Sequence, residues 1–413
     1  ATWATGADAA VEKEQRRLVG DYAKRARAMG VAVLGVVYAG ADVRKSVESA
    51  REAELDGLVL EGDFPAEPVA KSLPVFRMVE GVVPRVRAVS DTGAATATPT
   101  TEPWIDSNMW LVRSLRARSA GPVWLGFSLD QTPADDYLRS IADAAAAGGA
   151  WVVSLDDEMI AGLARNETKA LAAWRRIADW LAFFQQHAEW RAFRATGPLA
   201  IVHDARSKHA DMYDEYLNLV ARRRIPYRII ERPALRAGAI EGVKAILAIE
   251  LAPPTLEERR LLEAFMQQGG AVVAGPSWGP PGPLDQNTTF ATRSSGKGRL
   301  VTYNEDVPDP ETLAKDMARV IGRAELGVRL FNTASIVPHV SSDDSGKRLL
   351  VQLVNYASAP AEAVTVRVTG DYRTARLYTP DGASSNLEVE TSEHRIQVGI
   401  RSISVYAALL LEK

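Results

Sequence analysis

The sequence predicts a multidomain α/β protein: a (β/α) barrel-like domain over residues 1–195, a flavodoxin-like domain over 196–323 and an antiparallel β-sandwich over 324–413. Three observations carry this prediction. Alternating strand and helix patterns run to about residue 195, a second alternating unit runs from Gly197 to Gly322, and strands alone follow from Glu325. Alternation of the first kind reads as parallel sheets covered by helices, and period-two strands between turns read as a sandwich. A chain of 413 residues is long enough for two to three such domains.

In the first region, residues 8–29 carry apolar positions at helical spacing and stop at Gly30. VAVLGVVYAG reads as a buried strand, 42–55 as a helix, LVLEGDF as the next strand and PVFRMV as another. A polar segment rich in Ala, Thr and Pro follows at 89–103, of a length that marks a functional or disordered loop. Then come a helix at 107–118, the strand PVWLGFSL, a helix at 133–147 closed by Gly148-Gly149, and the strand AWVVSL. The helix at 167–192 carries Trp174, Trp180, Phe183, Phe184 and Trp190, a stripe that reads as core or interdomain packing before a ligand platform. Five strand candidates in 195 residues fall short of a complete (β/α)₈ barrel, which takes about 250 residues. The region is therefore an incomplete or trimmed barrel, or an open doubly wound sheet. A helix as first element fits the loss of earlier strands.

The second unit runs LAIVHD, a helix at 208–223, PYRII, AILAIE, a helix at 255–268 after Pro253-Pro254, Gly269-Gly270, AVVAG, RLVTYN and a helix at 309–321. Short apolar strands with helices between them make an open flavodoxin-like sheet. The stretch 276–298 reads as a Pro and Gly rich loop. In the third unit the strands are RLLVQLVNYA, AVTVRVTG, TARLYTP, SNLEVETSE, HRIQVGI and ISVYAALLLE, separated by turn signals such as Pro380-Asp381-Gly382.

Composition excludes several functions. The 49 basic and 52 acidic residues leave a formal charge of -3 with no long run of one sign, so there is no footprint for nucleic acid or an anionic membrane. No stretch reaches the roughly 18–20 apolar residues of a membrane span. The chain has no cysteine, which removes disulfides, thiolate metal sites and cysteine nucleophiles. Ala1 is not an initiator methionine, so the start is processed, trimmed or truncated, and a secreted or periplasmic location is favoured over a cytoplasmic one.

At GPLAIVHD, at AILAIELAPPTLEERRLLEAFMQQGGAVVAG, and at RLLVQLVNYASAPAEAVTVRV with ARLYTPDG, the chain resembles the family 42 glycoside hydrolases of the β-galactosidase type. The resemblance covers 197–413 in order and pattern, and IADAAAAGGAWVVSLDD resembles the last barrel strand of such enzymes with its preceding helix. It implies a catalytic barrel, a degenerate class I amidotransferase-like trimerisation domain, a small β-domain, a carbohydrate substrate and association into a homo-oligomer. The chain departs from the pattern in two places. It has no Asn-Glu pair at a strand end to supply the acid/base, and no cysteine for the amidotransferase nucleophile. His203 and His209 read as packing or surface residues before a remnant of that site.

In a barrel, function sits where strands end and βα loops begin. The carboxylates there are Glu61, Asp63, Glu80, Asp130, Asp156 and Asp157. Glycosidic cleavage needs two, one to protonate the leaving oxygen and one to attack or to activate water. Glu61 is the first candidate because it ends a continuous apolar strand, with Asp130 or Asp156 as its catalytic partner. The bland reading of Glu61 is a cap or a salt bridge. In TEPWIDSN, Trp104 can stack on a sugar ring while Glu102, Asp106 and Asn108 bond hydroxyls, with Asp63 as a further binding residue. Asp106 or Ser107 as a helix cap is the competing reading. SLDDE reads as a solvated turn before a metal site. No zinc-protease, EF-hand, Walker or nucleophile-elbow motif occurs, and neither a cofactor nor a metal is expected. The candidate functions are thus a glycoside hydrolase or related carbohydrate-active enzyme, and a catalytically inactive relative that binds carbohydrate or serves in assembly.

Overall fold

The structure, a computed structural model, describes residues 9–62, 73–87, 103–118, 122–129, 133–204, 206–207, 212–249, 251–279, 283–285, 288–305 and 308–413. The chain divides into two compact units: Ala1–Gly81 with Ser119–Ser128 and Gly149–Ser154, and Val82–Arg118 with Leu129–Gly148 and Leu155–Lys413. All five strands of the first parallel sheet fall in the first unit, and the four helices between 109 and 186 fall in the second.

The first unit is one parallel sheet of the strands Leu34–Tyr38, Gly57–Glu61, Val75–Glu80, Val123–Gly126 and Ala150–Trp151, adjacent in chain order. Among the described strands the order never reverses, unlike that of a doubly wound sheet. The sheet is also open, since its first and last strands do not pair among the described residues. Strand residues alternate between faces. Val37, Leu58 and Leu60 point one way and pack with Ala23 and Ala26 of the helix Ala9–Ala28 and with Val47 and Ala50 of the helix Val43–Glu52. Asp42 starts the second of these helices by accepting from the Arg44 and Lys45 amides at 3.0 and 3.2 Å.

The second unit holds a six-stranded sheet and a sandwich. In the sheet the strands Leu199–His203, Tyr227–Glu231, Ala245–Ala248, Ala271–Ala274 and Gly298–Tyr303 are parallel in the order 2-1-3-4-5, the order of flavodoxin-like sheets. Three of these strands are buried along their whole length, which is why they read as unbroken apolar runs. The edge is closed by Phe290–Ser295, antiparallel to Gly298–Tyr303. The stretch 276–298 is therefore not all loop, because its second half is one arm of a hairpin. An edge strand with four of six residues away from the core, FATRSS, shows no apolar alternation to read.

The sandwich pairs a four-stranded antiparallel sheet with a six-stranded one. Val364, Val366, Val368, Val398 and Ile400 of the first meet Val351, Leu353, Leu409 and Leu411 of the second in one core. Two strands join it that the sequence pattern did not reveal, Val328–Phe331 and Ile336–Ser342, and Arg194–Ala195 adds to the edge of the latter. The helix Thr168–Gln186 lays its aromatic stripe on the sandwich. Trp180, Phe183 and Phe184 meet the Tyr406 ring edge-on at 6.5, 6.1 and 5.0 Å, and Trp180 Nε1 donates to Asp381 at 2.9 Å. The stripe is packing, with Trp174 at its exposed margin.

Candidate functional site

Helices pack on one face of the first unit's sheet, and two candidate carboxylates stand on the other. Glu61 lies in register with Met78 of the next strand, and Glu80 follows Met78 by two residues, so both glutamates stand on the face opposite Leu58 and Leu60. Trp124 is in register with Met78 on the same face, and its ring stacks on Phe76 at 4.4 Å with the planes 10° apart. A spacing of ~4.8 Å between strands and ~6.6 Å for two residues along one puts the Cα atoms of the two glutamates about 8 Å apart. Two carboxylates at the C-terminal edge of a parallel sheet thus stand beside an aromatic pair.

Glu61 is half-buried and Glu80 exposed. Among the described residues neither carboxylate takes part in an ion pair or a hydrogen bond, so the cap and salt-bridge reading of Glu61 finds no partner. Gly62, at φ +98°, turns the chain away directly after Glu61 while its amide bonds the Met78 carbonyl at 3.1 Å. That conformation suits glycine and ends the strand at Glu61. Glu80, Phe76 and Trp124 were the members that sequence reasoning did not single out as a group. The available signal was strand parity, which needs the register between strands and so was hidden until the pairing was known.

The other candidates in the described chain belong to the second unit, where each has a structural partner. Asp156 caps the helix Asp157–Ala164 by accepting from the Met159 amide at 2.8 Å, and accepts at 2.8 Å from the Tyr137 hydroxyl, which in turn takes the Asp156 amide at 2.9 Å. Burial pushes the Tyr137 hydroxyl up to about 12, so it stays a donor. Asp106 receives two bonds of 2.9 Å from Arg87 Nε. Trp104 lies under the Arg222 guanidinium at 4.0 Å, with Arg87 at 5.3 Å. The Ser107 hydroxyl accepts from the Met109 amide at 3.1 Å at the start of the helix Met109–Arg118. Asn108 donates through Nδ2 to the Val82 carbonyl and to Asp143, both at 2.8 Å, and accepts the Val82 amide at 2.8 Å. Trp104, Asp106 and Asn108 thus turn to three different partners, Arg222, Arg87 and Asp143. Asp63, Asp130, Glu102 and His209 lie outside the described residues.

Asp143 was missed by sequence reasoning. It is fully buried on the helix Ala134–Ala146 and accepts four bonds: from Ser107 Oγ at 2.8 Å, the Asn108 amide at 2.9 Å, Asn108 Nδ2 at 2.8 Å and the Tyr356 hydroxyl at 2.5 Å. An acid inside IADAAAAGG is the available signal, because a helix this apolar has little outward face on which to place it.

In flavodoxin-like sheets the ligand crevice lies beyond the strand ends where the order reverses, here between Leu199–His203 and Ala245–Ala248. Ion pairs fill that end. Arg232 grips Glu258 through two bonds of 2.8 and 2.9 Å and reaches Asp204 at 3.4 Å, while His203 Nδ1 meets Glu231 at 3.0 Å. The Arg232 bonds, with help from the Thr255 amide, hold the Glu258 carboxyl down to about 2 against an ordinary value of 4.5. The folded value lies below the unfolded one, so this stabilisation is present above about pH 4.5 and is lost as pH falls toward 2. The urea midpoint is expected to fall less over that range in Glu258→Gln than in the parent chain.

Among the described residues no group of three or more His, Asp or Glu is placed to hold a metal ion, and no helix is long and apolar enough to cross a membrane. No protein-family model matches the chain, and no curated protein matches it in sequence. Its fold is similar to that of solved sugar-cleaving enzymes. Alpha-L-fucosidase isoenzyme 2 from Paenibacillus thiaminolyticus aligns with a TM-score of 0.61 at 11% identity over 96% of this chain and 89% of that one. The β-galactosidase from Rahnella sp. R3 aligns with a TM-score of 0.52 at 13% identity over 90% of this chain and 66% of that one. At such identities the likeness is one of fold: mixed α/β domains with a parallel sheet and antiparallel sheets.

Proposed function

We propose that this chain is a glycoside hydrolase-like protein acting on carbohydrate, with Glu61 and Glu80 as its working carboxylates on an arc of a (β/α) barrel. The observation that carries the reading is the placement of those two glutamates on one face, at the C-terminal edge of a parallel sheet in barrel order, beside stacked Phe76 and Trp124. The similarity to the fucosidase and β-galactosidase folds supports it. One carboxylic acid would protonate the glycosidic oxygen while the other attacks the anomeric carbon or takes a proton from attacking water, and side chains from Cα atoms about 8 Å apart can meet either required spacing. The aromatic pair supplies an apolar surface for the sugar face. Asp63, two residues after Glu61, is proposed as a further binding residue.

The test is release of nitrophenol from a panel of nitrophenyl α- and β-glycosides that includes fucosides and galactosides. Hydrolysis of at least one substrate is expected; failure across the panel, with binding of the same sugars retained, would favour a catalytically silent carbohydrate-binding protein. The middle domain is further proposed to be an amidotransferase-like assembly module without its nucleophile. Light scattering of the purified chain should then give a mass above the 44.8 kDa of one copy, and a monomer would remove the assembly role.

A further inference from the structure

Within the second unit a cavity of about 470 Å³ opens between the helix ends near Arg116 and Ala146, the strand Tyr227–Glu231 and the turn Ala237–Ile240. Arg113, Arg116, Arg228 and Arg236 line it, and among the described residues none of them is ion-paired. Arg194, also at its margin, is paired with Asp344 at 2.9 Å. The acid in the lining, Glu231, is engaged by His203 at 3.0 Å and by Arg118 at 3.7 Å.

The arginines find only uncharged acceptors: the Tyr227 carbonyl for Arg113 at 3.3 Å, the Arg191 carbonyl for Arg116 at 2.8 Å, and the Ala239 carbonyl and Thr196 hydroxyl for Arg228, both at 3.4 Å. Arg228 Nε is buried with no partner. Burial depresses Arg113, Arg116 and Arg228 below the ordinary guanidinium value, and Arg113 is also pushed down by the charge of Arg116, while Glu241 at longer range works the other way on Arg228. Neutral oxygens satisfy donors, but they leave gathered charge uncompensated. Ala145, Ala146, Ala147 and Ile229, with the rings of Trp190 and Phe193, supply apolar wall.

We propose that this cavity is a binding site for a small organic molecule bearing an oxyanion, a carboxylate, sulfate or phosphate, with the anion on the arginine fork and the carbon body against the alanines. Guanidinium groups are suited to bidentate capture of such anions. The inference does not rest on the glycosidase reading.

The test is calorimetric titration of the full chain at constant ionic strength with D-glucuronate, sodium sulfate and inorganic phosphate, with D-glucose as the neutral control. Glucuronate is expected to bind more tightly than either inorganic anion, with no heat from glucose. Arg236→Gln, at an exposed position, and Arg228→Gln should each weaken glucuronate binding by about tenfold. Sulfate or phosphate binding as tightly as glucuronate would overturn the organic-body part of the proposal. Absence of binding by all three anions, or affinity unchanged in Arg236→Gln, would overturn the site.

Discussion

Asp143→Ala is expected to lower the unfolding free energy by about 3–5 kcal/mol, read by urea denaturation, because it strands several buried donors at once. Ser107 Oγ, both nitrogen groups of Asn108 and the Tyr356 hydroxyl converge on that one carboxylate. These partners come from the start of the helix Met109–Arg118 and from the end of the strand Arg348–Asn355, so the loss loosens helix and sandwich together. Ser107→Ala, which removes one donor and leaves the acceptor occupied by three, should cost about 1 kcal/mol.

The pH dependence at Asp143 runs opposite to that at Glu258. Burial raises the Asp143 carboxyl above its ordinary range, outweighing the four bonds that oppose it. With the folded value above the unfolded one, the native state binds the extra proton. Its contribution is then fully present below the unfolded value and declines as pH rises through the folded one. The deficit of Asp143→Ala relative to the parent chain should therefore be widest in acid.

The sequence was informative wherever a strand is buried on both faces or a turn residue is obligatory. LAIVH, AILA and AVVA read as strands because nothing polar interrupts them, and the flavodoxin-like 2-1-3-4-5 order then emerges in the structure. Strands at margins were illegible. Phe290–Ser295 sits at an edge with most side chains outside the core, and Ile336–Ser342 contains a proline and a buried histidine where alternation would be sought. The candidate site was half legible. Glu61 follows its apolar strand visibly, but its relation to Glu80, Phe76 and Trp124 depends on register, a long-range property. TEPWIDSN drew attention as a sugar platform, and its Trp, Asp and Asn have local partners in Arg222, Arg87 and Asp143. Composition alone cannot separate a binding loop from a capped, ion-paired one, because both use the same residues.

Whether Glu61 and Glu80 act as a carboxylate pair is decided by kcat/KM of the parent chain, Glu61→Gln and Glu80→Gln on the best nitrophenyl glycoside from the panel, with thermal midpoints taken alongside. Neither side chain has a bonding partner among the described residues, so each amide should leave the midpoint nearly unchanged while lowering kcat/KM by roughly 10²–10⁴-fold. Hydrolysis within about twofold of the parent in both variants would contradict the account and move the chemistry away from this edge of the sheet.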